Sequence, residues 1–343
     1  MRRILLFLFT FHLSLFTYHC SLVTVHCSTA SAVNVRQTRS GIIIVGRGDS
    51  VRAFEPFRGA LDGGLGYADA VNKYKQTFGD RVNVYCMIIP TAVAIYCPDE
   101  AKEWTKDQRT TVRNIYAHLS KAVKAIDLFD TMDEHADEPI YSRTDHHWAP
   151  LGAYYAAQQF AGQADVPFAD LSTYDRHVIH DYVGTMYRFS KDVAVKNAPE
   201  DFVYYVPTGV DYTTTYIRYQ LGKNRQVAKE SEPEEGNFFY EYGDGSSAAY
   251  MTFMHGDTNT TKVKTSTCNG RRLLLLKDSY GNAIPAYLFH SFEEIHVVDC
   301  RYFTKNIIHY VEKNDITDIL FANNAGHAYS AVTHKAYNHY LEQ

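Results

Sequence analysis

Nowhere does this sequence gather lysine and arginine into a run. Its 34 basic and 39 acidic side chains are interspersed and leave a formal charge of −5, so the chain lacks the electrostatic footprint of a phosphate-backbone binder and no nucleic-acid partner is expected. After the opening residues no apolar stretch reaches about 18 residues, which excludes a later membrane-spanning helix. Internal repeats and low-complexity tracts are missing. The six cysteines never fall in C-x-x-C spacing, which argues against structural zinc. Nor is the chain poor in hydrophobic residues: 45% are hydrophobic and 21% charged, the balance of a folded protein and not a disordered one. What abounds is aromatic. The 27 Tyr and 19 Phe would suit a surface that stacks sugar rings, although filling the margins of a core is their commoner role.

The first residues, MRRILLFLFTFHLSLF, join two arginines to an apolar run and lead into the small-residue stretch CSTASA. This is the pattern of a secretory signal, with Ala30 and Ala32 forming an A-x-A site and cleavage expected after Ala32. Cys20 and Cys27 each follow a histidine, not the small residues that lipid modification requires, so no lipid anchor is expected. The expectation is an exported protein, periplasmic or extracellular, with 33–343 as its domain. Cys86, Cys97, Cys268 and Cys300 then remain in an oxidising compartment, where a Cys86–Cys97 bridge and buried free thiols are both open readings.

Hydrophobic patterning gives the organisation. GIIIVG, 41–46, reads as a short strand and the Gly-rich GALDGGLGY, 59–67, as a loop. RVNVYCMIIP, 81–90, is a nearly continuous apolar run of the kind buried on both faces of a parallel sheet. Residues 98–125 are patterned as helix, and AIDLFD, 125–130, as a second strand. From about 165 to 267 the texture shifts to short β-rich pieces, DFVYYVP, TTTYIRYQL and AAYMTFMHG, around the acidic AKESEPEEGN, 228–237, which reads as a flexible loop. This is an antiparallel insertion or subdomain. Afterwards LLLLKD, a helix to His290, EIHVVD, a helix to Lys313 and DILFANN follow in β-α-β-α-β order, implying a parallel sheet with right-handed crossovers. The expected fold class is α/β.

Two segments carry chemistry. RTDHHWAP, Arg143 to Pro150, precedes a helical pattern in which Pro150 sits near the first turn. LLLLKDSYGNAIP, Leu273 to Pro285, puts Ser279 at the carboxyl end of a buried strand, where open α/β sheets place their ligands. A serine hydroxyl is a poor nucleophile until a histidine accepts its proton, and the histidine needs a carboxylate to orient it. Asp145 and either His146 or His147 supply both groups. Backbone N–H groups of a helix starting at Ser279 would stabilise an oxyanion, although Asp-Ser before a helix is more often only a cap. Taking Asp145, His146 and His147 as metal ligands fails on spacing, because adjacent residues rarely face one ion and no H-x-x-x-H is present; no metal is expected. GRGDSVRAF, 46–54, contains another Gly-Asp-Ser, but Ser50 leads into a Pro- and Gly-rich stretch without helical periodicity, and a β-turn explains it.

RTDHHWAPLGAYYAA, followed much later by LLLLKDSYGNAIPAYLFHSFEEIHVVDCRYF, resembles the bacterial DHHW proteins, relatives of the SGNH-type alginate O-acetylation proteins. YADAVNKY with VNVYCMIIP, Tyr67 to Pro90, resembles the family's early region, while the β-rich middle matches loosely. The resemblance implies an SGNH-hydrolase-like three-layer α/β/α domain with a parallel sheet and a β-rich insertion. In it Asp-x-His precedes the serine: Asp145 orients, His147 is the base with His146 as neighbour and runner-up, and Ser279 is the nucleophile. It further implies an acyl-ester enzyme, a carbohydrate O-acetyltransferase or acetylesterase tilted toward transfer, with a carbohydrate or polysaccharide substrate, an acetyl-donor membrane protein as partner, and no cofactor. The alternative is a non-catalytic carbohydrate-binding or envelope polysaccharide assembly protein. Asn324 and Asn282 are candidate oxyanion donors, each also a ready cap. Arg143 and Tyr280 are candidates for touching substrate; Trp148, Lys277 and Asp278 read as packing and strand-end charge.

Overall fold

The computed structural model describes residues 34–60, 63–224 and 226–343; the expected secretory signal, 1–32, lies outside the described residues. Strands β1 (Val35–Gln37), β2 (Ile43–Val45) and β3 (Arg52–Phe54) form a small antiparallel sheet. Helix α1 (Leu65–Phe78) follows Gly64, which stands at φ 80, a left-handed turn that glycine adopts without penalty; the expected loop thus yields to helix by Leu65. Strand β4 (Asn83–Ile89) is buried at every residue but its first. Then come α2 (Ala92–Tyr96), α3 (Gln108–Ala117, capped by the Asp107 carboxylate), β5 (Lys124–Asp127), α4 (Phe129–Glu134) and α5 (Pro150–Ala164, with Pro150 in its first turn). Strand β6 (Tyr174–Tyr182) connects through α6 (Thr185–Ser190) and α7 (Val193–Lys196) to β7 (Glu200–Pro207), its partner in a separate two-stranded sheet. The remainder runs β8 (Tyr212–Leu221), β9 (Val227–Glu230), β10 (Glu234–Gly236), β11 (Asn259–Thr265), β12 (Arg272–Lys277), β13 (Glu294–Asp299), α8 (Ile307–Lys313), β14 (Asp318–Asn324), α9 (Ala325–Tyr329) and α10 (Ala331–Glu342).

The molecule is a mixed α/β fold built on one nine-stranded sheet, ordered β10-β8-β11-β13-β12-β14-β4-β5 with β9 paired to β8. Strands β13, β12, β14, β4 and β5 are parallel, and β11 is antiparallel to both β13 and β8. Continuous apolar runs such as Leu273–Leu276 suit the parallel half because both of its faces are covered. Phe321 on β14 packs against Tyr74 of α1 and Tyr337 of α10, each with ring centroids 5.0 Å away. Tyr85 on β4 instead meets Phe160 of α5 at 5.1 Å.

Several expectations change. Part of the 165–267 segment is no separate insertion: β8 and β11 extend the main sheet through seven paired residues. The acidic 228–237 segment is not a loop but two short edge strands on β8, held there by Arg218–Glu234 and Lys305–Glu230 ion pairs. AAYMTFMHG is a 3-10 turn, Ala249–Thr252, ended by Met254 and His255 at φ 58 and 55, a backbone that no strand continues. The helix expected after Ser279 is replaced by two 3-10 turns, Ser279–Ala283 and Pro285–Tyr287; Pro285 has no N–H to carry an α-helix through that point. Cys86, Cys97, Cys268 and Cys300 are all free, so the Cys86–Cys97 bridge is not formed: Cys86 lies buried in β4, whereas the Cys97 thiol bonds the Pro98 carbonyl. Among the described residues no helix is long and apolar enough to cross a membrane.

Phe321→Ala removes the ring shared by α1 and α10 and should destabilise the fold by about 3–5 kcal/mol. Urea unfolding checks this; a loss below about 1 kcal/mol, the size of an ordinary surface change, would contradict the packing.

Candidate active site

An antiparallel bridge between Tyr141 and Trp148 pinches the intervening residues into a tight loop, closed by the Ala149 N–H on the Ile140 carbonyl (2.9 Å). This loop is stitched to the serine turn in both directions. The buried Trp148 Nε1 donates to the Tyr280 carbonyl at 2.9 Å, and the Tyr280 hydroxyl donates to the His146 carbonyl. A buried indole or phenol needs such a partner, and here each partner belongs to the other segment. The stitching places His147 Nε2 2.8 Å from Ser279 Oγ, while His147 Nδ1 lies 2.6 Å from Asp145 Oδ1. Tyr250, which the sequence did not single out, stacks flat on His147 with centroids 3.8 Å apart and planes 5° apart, and anchors its hydroxyl on the Tyr280 carbonyl at 3.0 Å.

The Asp145 carboxylate accepts four hydrogen bonds. The His147 N–H (3.0 Å) and Nδ1 (2.6 Å) bond Oδ1; the Thr185 N–H (2.7 Å) and hydroxyl (2.8 Å) bond Oδ2. Burial alone would raise its pKa, but attraction to His147 and these donors outweigh burial and hold it well below the usual carboxylate range. Gly184 makes room: a Cβ there would stand 2.4 Å from the Asp145 Cβ and 2.5 Å from Oδ2. A carboxylate offers about four lone-pair sites, which these donors engage; Asp145, His146 and His147 also sit close enough together that they could hold a metal ion. His146 Nδ1 meets the Thr185 hydroxyl at 2.5 Å. Burial, followed by repulsion from His147, pushes the His146 pKa down to about 3.

At the serine, Asp278 caps the turn by accepting the Tyr280 and Asn324 N–H groups, both at 2.8 Å. The first turn is a five-residue 3-10 segment, so the α-helix dipole expected behind Ser279 is not there. Asn282 donates to Asp257 Oδ1 at 2.8 Å, and its side-chain Oδ1 is buried with no partner among the described residues. Asn324 caps α9 through its Oδ1. Lys277 is buried between Asp299 (3.0 Å) and Asp257 (3.4 Å), and Arg301 pairs with the same two carboxylates. For Asp257 burial is again the largest influence, raising the pKa, but Lys277 and Arg301 together reverse it and hold the group well down. Arg143 is consumed structurally: its guanidinium donates to the Asp49, Val51 and Pro199 carbonyls and its N–H to Glu200. Tyr280 is buried as the wedge between the segments and is not a free substrate contact. Ser50 sits in an exposed 3-10 turn, its hydroxyl on the Arg47 carbonyl at 2.8 Å.

Gly184→Ala should dislodge the Asp145 carboxylate and abolish the low-field proton NMR resonance of the His147 Nδ1–H; its persistence would show that Asp145 tolerates the methyl group. His146 titrates at about 3 when folded against about 6.5 when unfolded. The unfolded chain therefore binds an extra proton as pH falls through 6.5, and this residue subtracts stability from there down to about pH 3. His146→Gln should accordingly flatten the acid limb of the stability curve, measured by urea unfolding at pH 7 and pH 4.

A family model described as DHHW protein matches residues 25–298. Among solved structures, a DHHW family protein from Eubacterium siraeum DSM 15702 is 37% identical, covering 89% of this chain and 97% of its own, with a TM-score of 0.79. Bacillus cereus PatB1, determined with a sulfonyl adduct, shares the fold at 18% identity, covering 88% of this chain and 97% of its own, with a TM-score of 0.67. No curated protein matches the chain. Matched by the family model over most of its length and by a relative over 89% of it, the chain is a member of the DHHW family.

Proposed function

We propose that this protein is an exported serine-dependent acyl-ester enzyme that transfers an acetyl group to, or removes it from, a carbohydrate, on an SGNH-hydrolase-like three-layer scaffold. The observation that carries the reading is the 2.8 Å approach of His147 Nε2 to Ser279 Oγ, with Asp145 on the other ring nitrogen. Asp145 holds the Nδ1 proton in place, so Nε2 presents its lone pair to the serine. His147 takes the hydroxyl proton, Ser279 Oγ attacks the ester carbonyl, and the His147 proton then passes to the departing alcohol. A sugar hydroxyl or water, deprotonated by the same nitrogen, releases the acetyl group. The oxyanion would lie against the Ser279 N–H, with the buried Asn282 amide nearby in the same turn. These residues run the cycle without a cofactor. The acetyl donor would be a membrane protein, and the acceptor a polysaccharide of the envelope or surroundings.

Release of p-nitrophenol from p-nitrophenyl acetate should fall about 10⁴-fold or more in Ser279→Ala and His147→Ala. Phenylmethylsulfonyl fluoride should add its sulfonyl mass to Ser279, as read by peptide mass spectrometry. Equal turnover in wild type and both variants would end the catalytic reading of this site and assign the activity elsewhere, whereas no turnover in any of the three would leave carbohydrate binding alone.

A further inference from the structure

His146 plays no part in the proton path above, yet its surroundings determine which of its nitrogens carries hydrogen. The Thr185 hydroxyl has one proton and donates it to Asp145 Oδ2, because an ionised carboxylate can only accept. His146 Nδ1 lies 2.5 Å from Thr185 Oγ1 and, the hydroxyl proton being spent, must be the donor. A neutral imidazole protonated at Nδ1 carries its lone pair on Nε2. Among the described residues His146 Nε2 has no hydrogen-bond partner, and the half-buried ring lines a cavity of about 50 Å³ with Glu55, Thr91 and Asn324. That cavity lies at the carboxyl ends of β4 and β14, the position where open sheets take their ligands, and beside the end of β12 that carries Ser279. Its polar lining offers both donors and acceptors. Glu55, exposed to solvent at its edge, makes no ion pair among the described residues, and Thr91 Oγ1 accepts from Gln108 Nε2 at 2.6 Å, which leaves the Thr91 proton to donate. The rings of His146 and His147 lie 3.8 Å apart, centroid to centroid.

Resting on the proposed acyl-ester chemistry, we propose that His146 is an acceptor-positioning residue: its Nε2 accepts a hydrogen bond from a second hydroxyl of the incoming alcohol, selecting carbohydrate diols over water and simple alcohols. In the transfer step the attacking oxygen bonds to the acetyl carbon, the bond from that carbon to Ser279 Oγ breaks, and the attacking hydroxyl's proton goes to His147 Nε2 and then to Ser279 Oγ. The neighbouring hydroxyl keeps its proton and donates it to His146 Nε2. Two hydroxyls on adjacent carbons thus meet two adjacent imidazoles, one acting as base and the other only as anchor. Water can satisfy one of these nitrogens at a time. A ring hydroxyl with a free neighbour satisfies both.

The experiment compares ethylene glycol with 2-methoxyethanol as acceptors from p-nitrophenyl acetate. The two share a primary alcohol and a neighbouring oxygen, and only the glycol has the second O–H. The wild-type protein should form the glycol monoacetate about three- to tenfold faster beyond the statistical factor of two, the discrimination of one hydrogen bond. His146→Phe, which keeps a ring against His147, and His146→Asn, which withdraws the acceptor from the cavity, should both return the ratio, read within each variant and so independent of its overall rate, to the statistical value. A wild-type ratio already at the statistical value, or a preference retained in either variant, overturns the proposal. Absence of any acetyl release by the wild-type protein, to water or to alcohol, overturns instead the acyl-ester reading on which it rests.

Discussion

A carboxylate with 2% of its surface exposed persists in a folded chain only when donors fill its lone pairs, and around Asp145 this requirement recruits two separate pieces of chain. Its own loop supplies the His147 N–H and ring, the start of α6 supplies Thr185, and Gly184 withdraws a side chain so that the approach is possible. The charge cannot be left unpaired: removing one member of a buried pair costs about 3–5 kcal/mol. The orientation of His147 is therefore tied to the stability of the fold itself. The Lys277, Arg301, Asp257 and Asp299 group behind the serine follows the same logic with two charges of each sign.

The second constraint is how two loops 132 residues apart come to share a pocket. The parallel sheet brings the carboxyl ends of β12, β14 and β4 side by side. Final alignment comes from the exchanged bonds between Trp148 and Tyr280, in which each aromatic side chain satisfies its polar atom on the backbone of the opposite segment. The two most conspicuous aromatic neighbours of the catalytic candidates thus serve as connectors. Tyr250 adds a flat wall that restricts the imidazole to small movements.

The buried strands β4, β12, β13 and β14 were legible because continuous apolar runs have no other stable home, and α5 because Pro150 marks its first turn. His147 and Ser279 were nominated by chemistry and family resemblance; their proximity is a tertiary fact that neither segment encodes alone. Thr185 and Gly184 escaped notice because neither carries a motif, and their importance arises only once Asp145 is beside them. The helix expected after Ser279 failed on Pro285, whose missing N–H was visible but was outweighed by the strand-helix alternation around it. The acidic 228–237 segment misled for a different reason. Its composition signals solvation, and an edge strand is solvated along one side while bonding β8 along the other.

That edge has a meaning beyond the pocket. A nine-stranded sheet ends in rows of open amides that invite another chain to zip alongside. Here the terminal rung is three residues long and carries Glu234 and Glu235, so a second copy approaching in register would set like charges against each other after only a few rungs. The same glutamates that make the segment look unstructured thus keep the sheet finite, a built-in stop against fibre growth.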